Sequence, residues 1–143
     1  MSSNPSAAAD IALVDALVHA TFEVTGVLSR IGADNDLSLT QLRVLGILRE
    51  RRPRVTDLAA HLGLDKSTIS GLIDRAERRG HLARARSEQD RRAVEVFLTA
   101  EGRELTQRMY EAAHRELLPM FARLDVDQRE SLERLLDLVL REE

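Results

Sequence analysis

Side chains suited to nucleic-acid recognition are concentrated between residues 54 and 92 of this 143-residue chain. Short hydroxyl and glycine positions at 66–71 would let a helix approach base edges closely, and arginines on its flanks and in a later polar turn would meet phosphates. An ordinary solvated helix face is the alternative interpretation. The residues predicted to contact double-stranded DNA are Arg54, Lys66, Ser67, Thr68, Ser70, Gly71, Asp74, Arg75, Arg78, Arg84, Arg86, Asp90, Arg91 and Arg92.

The pattern around these residues predicts a helix-turn-helix, whose second helix runs from about residue 66 to 79. Gly63 can adopt the positive φ that ends a helix, and Ala59, four residues earlier, is small enough for two helices to cross closely. Thr56 and Asp65 are the predicted N-caps of the two helices. Apolar positions at helical spacing predict the core between the helices: Leu58, Leu62, Leu64, Ile69, Leu72, Ile73 and Ala76.

A β-hairpin with a basic tip is predicted to follow. Residues 82–86 and 94–98 have the composition and alternation of short, half-buried strands. The turn between them carries Arg91 and Arg92, and a two-stranded ribbon bearing arginines can reach the minor groove. We hypothesise that the carboxylate of Asp90 holds one of these two arginines in a fixed pose, with the side chain of Arg92 favoured over that of Arg91, so that Asp90→Ala would weaken DNA binding.

Charge is distributed unevenly along the chain, whose net charge is −3. Residues 43–92 carry thirteen basic and seven acidic side chains, a net charge of +6, whereas residues 1–42 carry −4 and residues 93–143 carry −5. This basic centre between acidic ends fits a DNA-facing module on a scaffold that faces away from DNA.

Several classes of protein are disfavoured by composition. The chain has no cysteine, which excludes disulfides, thiol redox sensing and cysteine metal sites and suits a reducing cytoplasm. The N-terminus lacks the basic start and apolar run of a signal peptide, and we expect no stretch long and apolar enough to span a membrane. We therefore predict a cytoplasmic protein without a membrane partner.

Catalysis is not predicted either. His19, His61, His81 and His114 are scattered, without a serine or aspartate in a recognisable relation to them and without a glycine-rich phosphate loop. A metal or ligand role for His19 and His114 is one interpretation, and two surface or satisfied histidines is the other. We expect no enzymatic activity, no metal and no cofactor.

Long apolar helices flank the central module. Ser38 with Gln41, and Asp125 with Gln128, resemble capping boxes, and Thr99 is placed to open a helix that Pro119 kinks or ends. The first and last helices are apolar on more than one side, which predicts a dimer interface. The predicted organisation is a disordered tail at 1–9, an N-terminal dimerisation helix at 10–37, a DNA-binding region at 38–99 and C-terminal dimerisation helices at 100–143, in one compact domain.

A set of short motifs between residues 58 and 102 is characteristic in combination: Leu58-Ala59, Leu62-Gly63, Ser67-Thr68-Ile69-Ser70, Ile73-Asp74-Arg75, Glu77-Arg78-Arg79-Gly80, Asp90-Arg91-Arg92, and Leu98-Thr99 followed by Gly102. With these motifs the chain resembles the MarR (multiple antibiotic resistance regulator) family of transcription factors. Ala76 and His81 depart from the larger aliphatic side chains usual there, and Gly71 lies where the family often makes a base contact.

This resemblance implies a mainly α (α+β) fold: a winged helix-turn-helix with a two-stranded β wing and N- and C-terminal dimerisation helices. It implies a homodimeric repressor that binds a pseudo-palindromic operator and responds to a small aromatic or anionic effector. The implied effector crevice is lined by His19, Phe22, Phe97, Tyr110 and His114, although phenylalanine and tyrosine at such places are more often simple core. The alternative function is a winged-helix protein-interaction module with only non-specific DNA binding; the basic wing tip favours the first.

Overall fold

The computed structural model describes residues 5–141, as six α-helices and one two-stranded antiparallel sheet. The mainly helical winged helix-turn-helix fold is therefore confirmed. The helices are α1 (Pro5–Asp34), α2 (Leu39–Glu50), α3 (Val55–Leu62), α4 (Lys66–Arg78), α5 (Ala100–Leu117) and α6 (Val126–Leu140); the strands are β1 (Leu82–Arg86) and β2 (Val94–Leu98); a 3₁₀ turn (Leu118–Phe121) joins α5 to α6.

Short-range signals fix most of the helix boundaries as predicted. Both capping boxes are formed, before α2 and before α6. The side chain of Asp65 caps α4, and the hydroxyl of Thr99 caps α5 by accepting from the Gly102 amide at 3.1 Å. Gly63 ends α3 with φ +64°, the left-handed conformation that its lack of a Cβ permits. After α5 the chain tightens into the 3₁₀ turn that contains Pro119.

Two predicted boundaries are wrong. α1 begins at Pro5, so residues 5–9 are helical and not a disordered tail, and residues 1–4 lie outside the described part of the chain. Alanines and a proline in the first turn favour this helix, which the polar start of the sequence had obscured. α3 begins at Val55 with Arg54 as its N-cap residue, so Thr56 lies inside the helix; Arg54 is instead held extended by pairing with Glu95 of the wing.

The core lies between α2, α3, α4, the sheet and α5. Ile69 and Val96 are fully buried, and Leu58, Ile73 and Leu82 are exposed by only 1%. Each such side chain stabilises the fold by roughly 1.5–3 kcal/mol through burial alone. The inward face of α4 is thus fixed against the protein, as the helical spacing predicted, and its opposite face is left to solvent.

The start of α5 passes very close to the turn between α4 and β1. Gly80 in this turn has φ +79°, and its carbonyl accepts from the Thr99 hydroxyl at 2.5 Å. The Thr99 amide donates to the carbonyl of His81 at 3.2 Å. A Cβ at Gly102 would overlap that His81 carbonyl, so the approach requires glycine at this position.

Much of α1 and α6 packs against nothing within the described chain. Phe22, Leu138 and Val139 are each exposed by about 70%. By length and composition alone α1 is apolar enough to cross a membrane, which corrects our expectation that no stretch would be. Its few charged residues interrupt the apolar run in the sequence, but they are too sparse to make the helix polar overall. One such helix is weak evidence for a membrane span, because helices of soluble proteins meet the same criterion.

We expect Gly102→Ala to lower the free energy of unfolding by about 1–3 kcal/mol, because α5 must move off the α4–β1 turn to make room for the methyl group. Gly71→Ala is the matched control, since its Cβ would meet only the mobile end of Arg75 at 3.5 Å. Urea unfolding followed by circular dichroism measures both variants. Equal stability of Gly102→Ala and the parent protein would contradict the tight contact.

Candidate nucleic-acid interface

The N-terminus of α4 is ordered by the carboxylate of Asp65. This carboxylate accepts from the amide of Thr68 at 2.7 Å and from the hydroxyl of Ser67 at 2.8 Å. These hydrogen bonds, that of the Thr68 amide first, lower the pKa of Asp65, so it remains an acceptor at neutral pH. Because the Ser67 proton is engaged, its hydroxyl can offer only acceptor lone pairs to an outside ligand.

None of the side chains predicted to contact DNA is buried. Most are exposed, and Arg54, Ser70, Gly71 and Asp90 are half-buried. They lie on α4, on the wing and just before α3. Ion pairs between these elements, described next, bring the three groups onto one continuous surface. The individual DNA contacts remain predictions.

Arg84 of β1 joins the wing to α4. Its guanidinium pairs with the carboxylate of Asp74, and its Nε lies 3.6 Å from a carboxylate oxygen of Glu77. The charges of Arg84 and Asp74 therefore largely neutralise each other within the protein. The pair formed by Arg84 and Asp74 orients the wing relative to α4. The sequence analysis had assigned both side chains only to contacts with DNA.

Asp90 organises the turn at the tip of the wing, but not as we hypothesised. One carboxylate oxygen accepts from the backbone amide of Arg92 at 3.0 Å, and the other lies 3.9 Å from the guanidinium of Arg54. The hypothesised link to Arg92 is thus made through the backbone, as in an Asx turn, and the ion-pair partner is Arg54. Arg86 completes the turn by donating to the carbonyl of Arg91 at 2.9 Å.

A linkage of three polar residues at the base of the wing was missed by sequence reasoning, which considered Arg52 only as a contact to the DNA backbone. Arg52 donates from Nε to the carboxylate of Glu95 at 2.8 Å, and the hydroxyl of Ser87 is hydrogen-bonded to the same carboxylate. Ser87 is 2% exposed. The run of arginines before α3 was visible in the sequence, but the carboxylate that pairs with Arg52 lies 43 residues further along the chain.

The residues of the implied effector crevice are dispersed among several elements. Phe97 lies beneath the guanidinium of Arg52, with 4.2 Å from Cζ to the ring centre, and Tyr110 lies beneath Arg49 at 4.0 Å. His19, Phe22 and His114 are exposed. An apolar groove of about 460 Å³ runs between α1 and α6, and none of the five lines it.

Within residues 5–141, no group of three or more histidine and acidic side chains is arranged to hold a metal ion. His81 is the one histidine whose environment is distinctive. Its Nδ1 is buried without a hydrogen-bond partner in the described structure. Burial, followed by the positive charge of Arg79, lowers the pKa of His81, and the carboxylate of Glu101 opposes this shift.

Comparison with known proteins gives a consistent result. A family model described as the MarR family matches residues 35–93. The Bacillus subtilis protein named uncharacterized HTH-type transcriptional regulator YfiV is 32% identical over 107 residues, covering 74% of this chain and 67% of its own. The transcriptional activatory protein BadR of Rhodopseudomonas palustris is 31% identical over 140 residues, covering 88% of this chain and 79% of its own.

Solved structures share the fold. A MepR mutant from Staphylococcus aureus superposes with a TM-score of 0.78 at 20% identity, covering 90% of this chain and 94% of its own. Escherichia coli MarR complexed with operator DNA gives 0.68 at 23% identity, covering 92% and 96%. Bordetella bronchiseptica BpsR superposes with a TM-score of 0.69 at 27% identity, covering 90% of this chain and 93% of its own.

Fold and surface together define a DNA-binding winged helix-turn-helix protein. The chain belongs to the MarR family of transcriptional regulators.

We expect the protein to lose stability below about pH 6.5, the ordinary pKa of histidine. Since the folded state lowers the pKa of His81, the unfolded chain binds more protons in this range. The contribution of neutral His81 is thus fully present above that pH and declines as the pH falls through the lowered value. Urea unfolding between pH 5 and 8 should show a shallower acid decline in His81→Leu than in the parent. An unchanged acid decline in His81→Leu would refute the assignment.

Proposed function

We propose that the protein is a cytoplasmic, homodimeric repressor that binds a pseudo-palindromic operator and releases it when a small effector binds. The observation that carries the proposal is the continuous surface formed by α4, the wing and Arg54, which lies in the basic segment of an otherwise acidic chain. In this proposal α4 enters the major groove, where Lys66 and Thr68 reach base edges and phosphates and the Ser67 hydroxyl accepts from hydrogen-bond donors on the bases.

Dimerisation is supported by the apolar faces of α1 and α6. Ile11, Leu13 and Phe22 on α1 are exposed by 64–71%, and Leu138 on α6 by 68%. Apolar patches of this extent are rare on a soluble monomer. A two-fold dimer through these helices would set the two α4 helices about 34–36 Å apart, one turn of DNA, and so read a pseudo-palindrome.

Operator binding is supported by the E. coli MarR structure solved with operator DNA, whose fold this chain shares. Repression is supported by relatives named as repressors, YetL of B. subtilis and MprA of E. coli. BadR is named as an activator, so position relative to the promoter would decide the sign of regulation. The proposal of a repressor follows the more frequent name among these relatives.

An effector is supported by two structures of shared fold. BpsR is described as regulated in DNA binding by 6-hydroxynicotinic acid, and NadR was solved with 4-hydroxyphenylacetate. Both molecules are small aromatic acids. In this chain the guanidinium of Arg49 lies over the ring of Tyr110, and that of Arg52 lies over the ring of Phe97. Two residues of the proposed crevice therefore have a cation beside an aromatic ring, which suits a ligand that carries both a ring and a negative charge.

DNA binding is tested with duplexes selected from a random pool by repeated binding to the protein. We expect the selected sequences to share a pseudo-palindrome and to bind with a steep salt dependence in fluorescence anisotropy. Arg91→Ala/Arg92→Ala should weaken binding and reduce the salt slope by about one for each phosphate that the variant no longer neutralises. Arg108→Ala/Arg123→Ala, at exposed arginines outside the proposed surface, is the matched control. Equal, weak binding to selected and scrambled duplexes would favour a protein-interaction module instead.

Dimerisation is tested by sedimentation equilibrium. Leu17→Glu/Leu136→Asp places charges on the apolar faces of α1 and α6 and should convert a dimer into a monomer with unchanged helix content, because unpaired charges are costly to bury in an interface. Leu39→Asp changes an exposed leucine at the start of α2 and should leave the dimer intact. A monomeric parent protein would overturn the dimer.

A further inference from the structure

A buried serine lies at the base of the wing. The hydroxyl oxygen of Ser87 accepts from the amides of Gln89 at 3.3 Å and Asp90 at 3.4 Å. The Ser87 amide donates to the carbonyl of Ala93 at 2.9 Å, which closes the turn. The hydroxyl of Ser87 is left to donate its hydrogen bond to the carboxylate of Glu95. The turn that carries Arg91 and Arg92 is thus fastened to one carboxylate.

That carboxylate is also fastened to the connector between α2 and α3. Arg52 in the connector donates to Glu95 at 2.8 Å, and its guanidinium lies over the ring of Phe97. The backbones of the two segments are paired as well, since the amide of Val96 donates to the carbonyl of Pro53 at 2.9 Å. The Glu95 side chain is 20% exposed, the lowest among the carboxylates in the ion pairs of the described residues. One side chain therefore joins the connector, β2 and the wing turn.

A carboxylate on a DNA-facing wing is unfavourable unless it has another role. Hydrogen bonds from Ser87 and then from Arg52 lower the pKa of Glu95, so it carries its negative charge at neutral pH. By long-range electrostatics alone, this charge would repel phosphates. Glu88 is an exposed acidic residue in the wing turn, so it imposes a similar long-range repulsion on phosphates. It does not take part in the linkage of Arg52, Glu95 and Ser87.

We propose that Glu95 is a positioning residue for DNA recognition: through Arg52 and Ser87 it holds the wing turn in the orientation that presents Arg91 and Arg92 to the minor groove. This inference rests on the proposed operator binding. A turn that is ordered before binding avoids the loss of conformational entropy that a mobile turn would suffer on the DNA, so the ordering appears as affinity.

The direction in which one substitution changes the affinity for DNA separates this positioning role from a simple electrostatic effect. Glu95→Gln removes a negative charge and should nevertheless weaken binding to the selected operator about tenfold, the size of the effect of one mismatched base pair in a binding site. Glu88→Gln removes the same charge from the wing, seven positions earlier in the turn, and should leave binding equal or tighter. Tighter binding by Glu95→Gln, as by Glu88→Gln, would overturn the proposal.

The route through Arg52 is tested by a double-mutant cycle. Arg52→Gln should weaken operator binding by itself, and in that background Glu95→Gln should have little further effect. An undiminished tenfold effect of Glu95→Gln in the absence of Arg52 would overturn the role assigned to the pair. Arg52 is half exposed, so its substitution keeps the test available if Glu95→Gln does not fold.

A second measurement does not depend on DNA. In the free protein, amide hydrogen exchange at Gln89 and Asp90 should be faster in Glu95→Gln than in the parent or in Glu88→Gln, because a neutral amide holds Arg52 and their acceptor Ser87 more weakly than the carboxylate does. Unchanged exchange at these two amides would overturn the positioning role. If the parent protein bound no DNA selectively, the proposed function would fail, and this exchange measurement would still decide whether Glu95 orders the wing.

Discussion

The first turn of α5 lies directly on the turn that joins α4 to β1, and the proposed DNA-binding surface depends on this contact. Gly102 supplies the space, Thr99 caps α5 and bonds to Gly80, and His81 accepts from the Thr99 amide. The two elements of the proposed interface meet at this turn: α4 ends there, and the wing begins after it. A helix that reaches toward the apolar end of the molecule therefore sets the position of the two elements that would meet DNA.

Acidic residues within the basic surface are used as internal partners. Asp65 orders the start of α4, Asp74 holds Arg84, Asp90 shapes the wing turn and pairs with Arg54, and Glu95 joins Arg52 to Ser87. A surface made of arginine alone would repel itself and leave its long side chains mobile. Each carboxylate lowers the local positive charge somewhat and fixes a neighbouring group. In the proposed interface, the loss of attraction to phosphates would be offset by the smaller loss of side-chain entropy on binding DNA.

Sequence reasoning succeeded where the determining contacts are local. Asp65 and Thr99 were identified as caps because a cap and the amide that it accepts are three residues apart. It failed where folding brings distant groups together. Asp90 was assigned to the side chain of Arg92, its neighbour in sequence, whereas the ion pair forms with Arg54. The Arg52–Glu95 pair was missed for the same reason: its register depends on how the connector pairs with β2, and no local pattern encodes that.

An effector bound near the apolar end of the molecule, where α1 and α6 leave apolar faces uncovered, could act on the proposed DNA interface through the helices packed between the two. α1 contacts α2 and α5, and α2 contacts β2 and α5, so the apolar end and the wing share the same packed helices. Arg49 and Arg52 lie at the junction, one over Tyr110 of α5 and the other over Phe97 of β2. In the proposed dimer, a molecule that competed for Arg49 would change how α2 is held against α5, and one that competed for Arg52 would change how the connector is held against the wing. Release of Arg52 would also remove a partner of Glu95, so effector binding and wing order would be coupled through a single side chain.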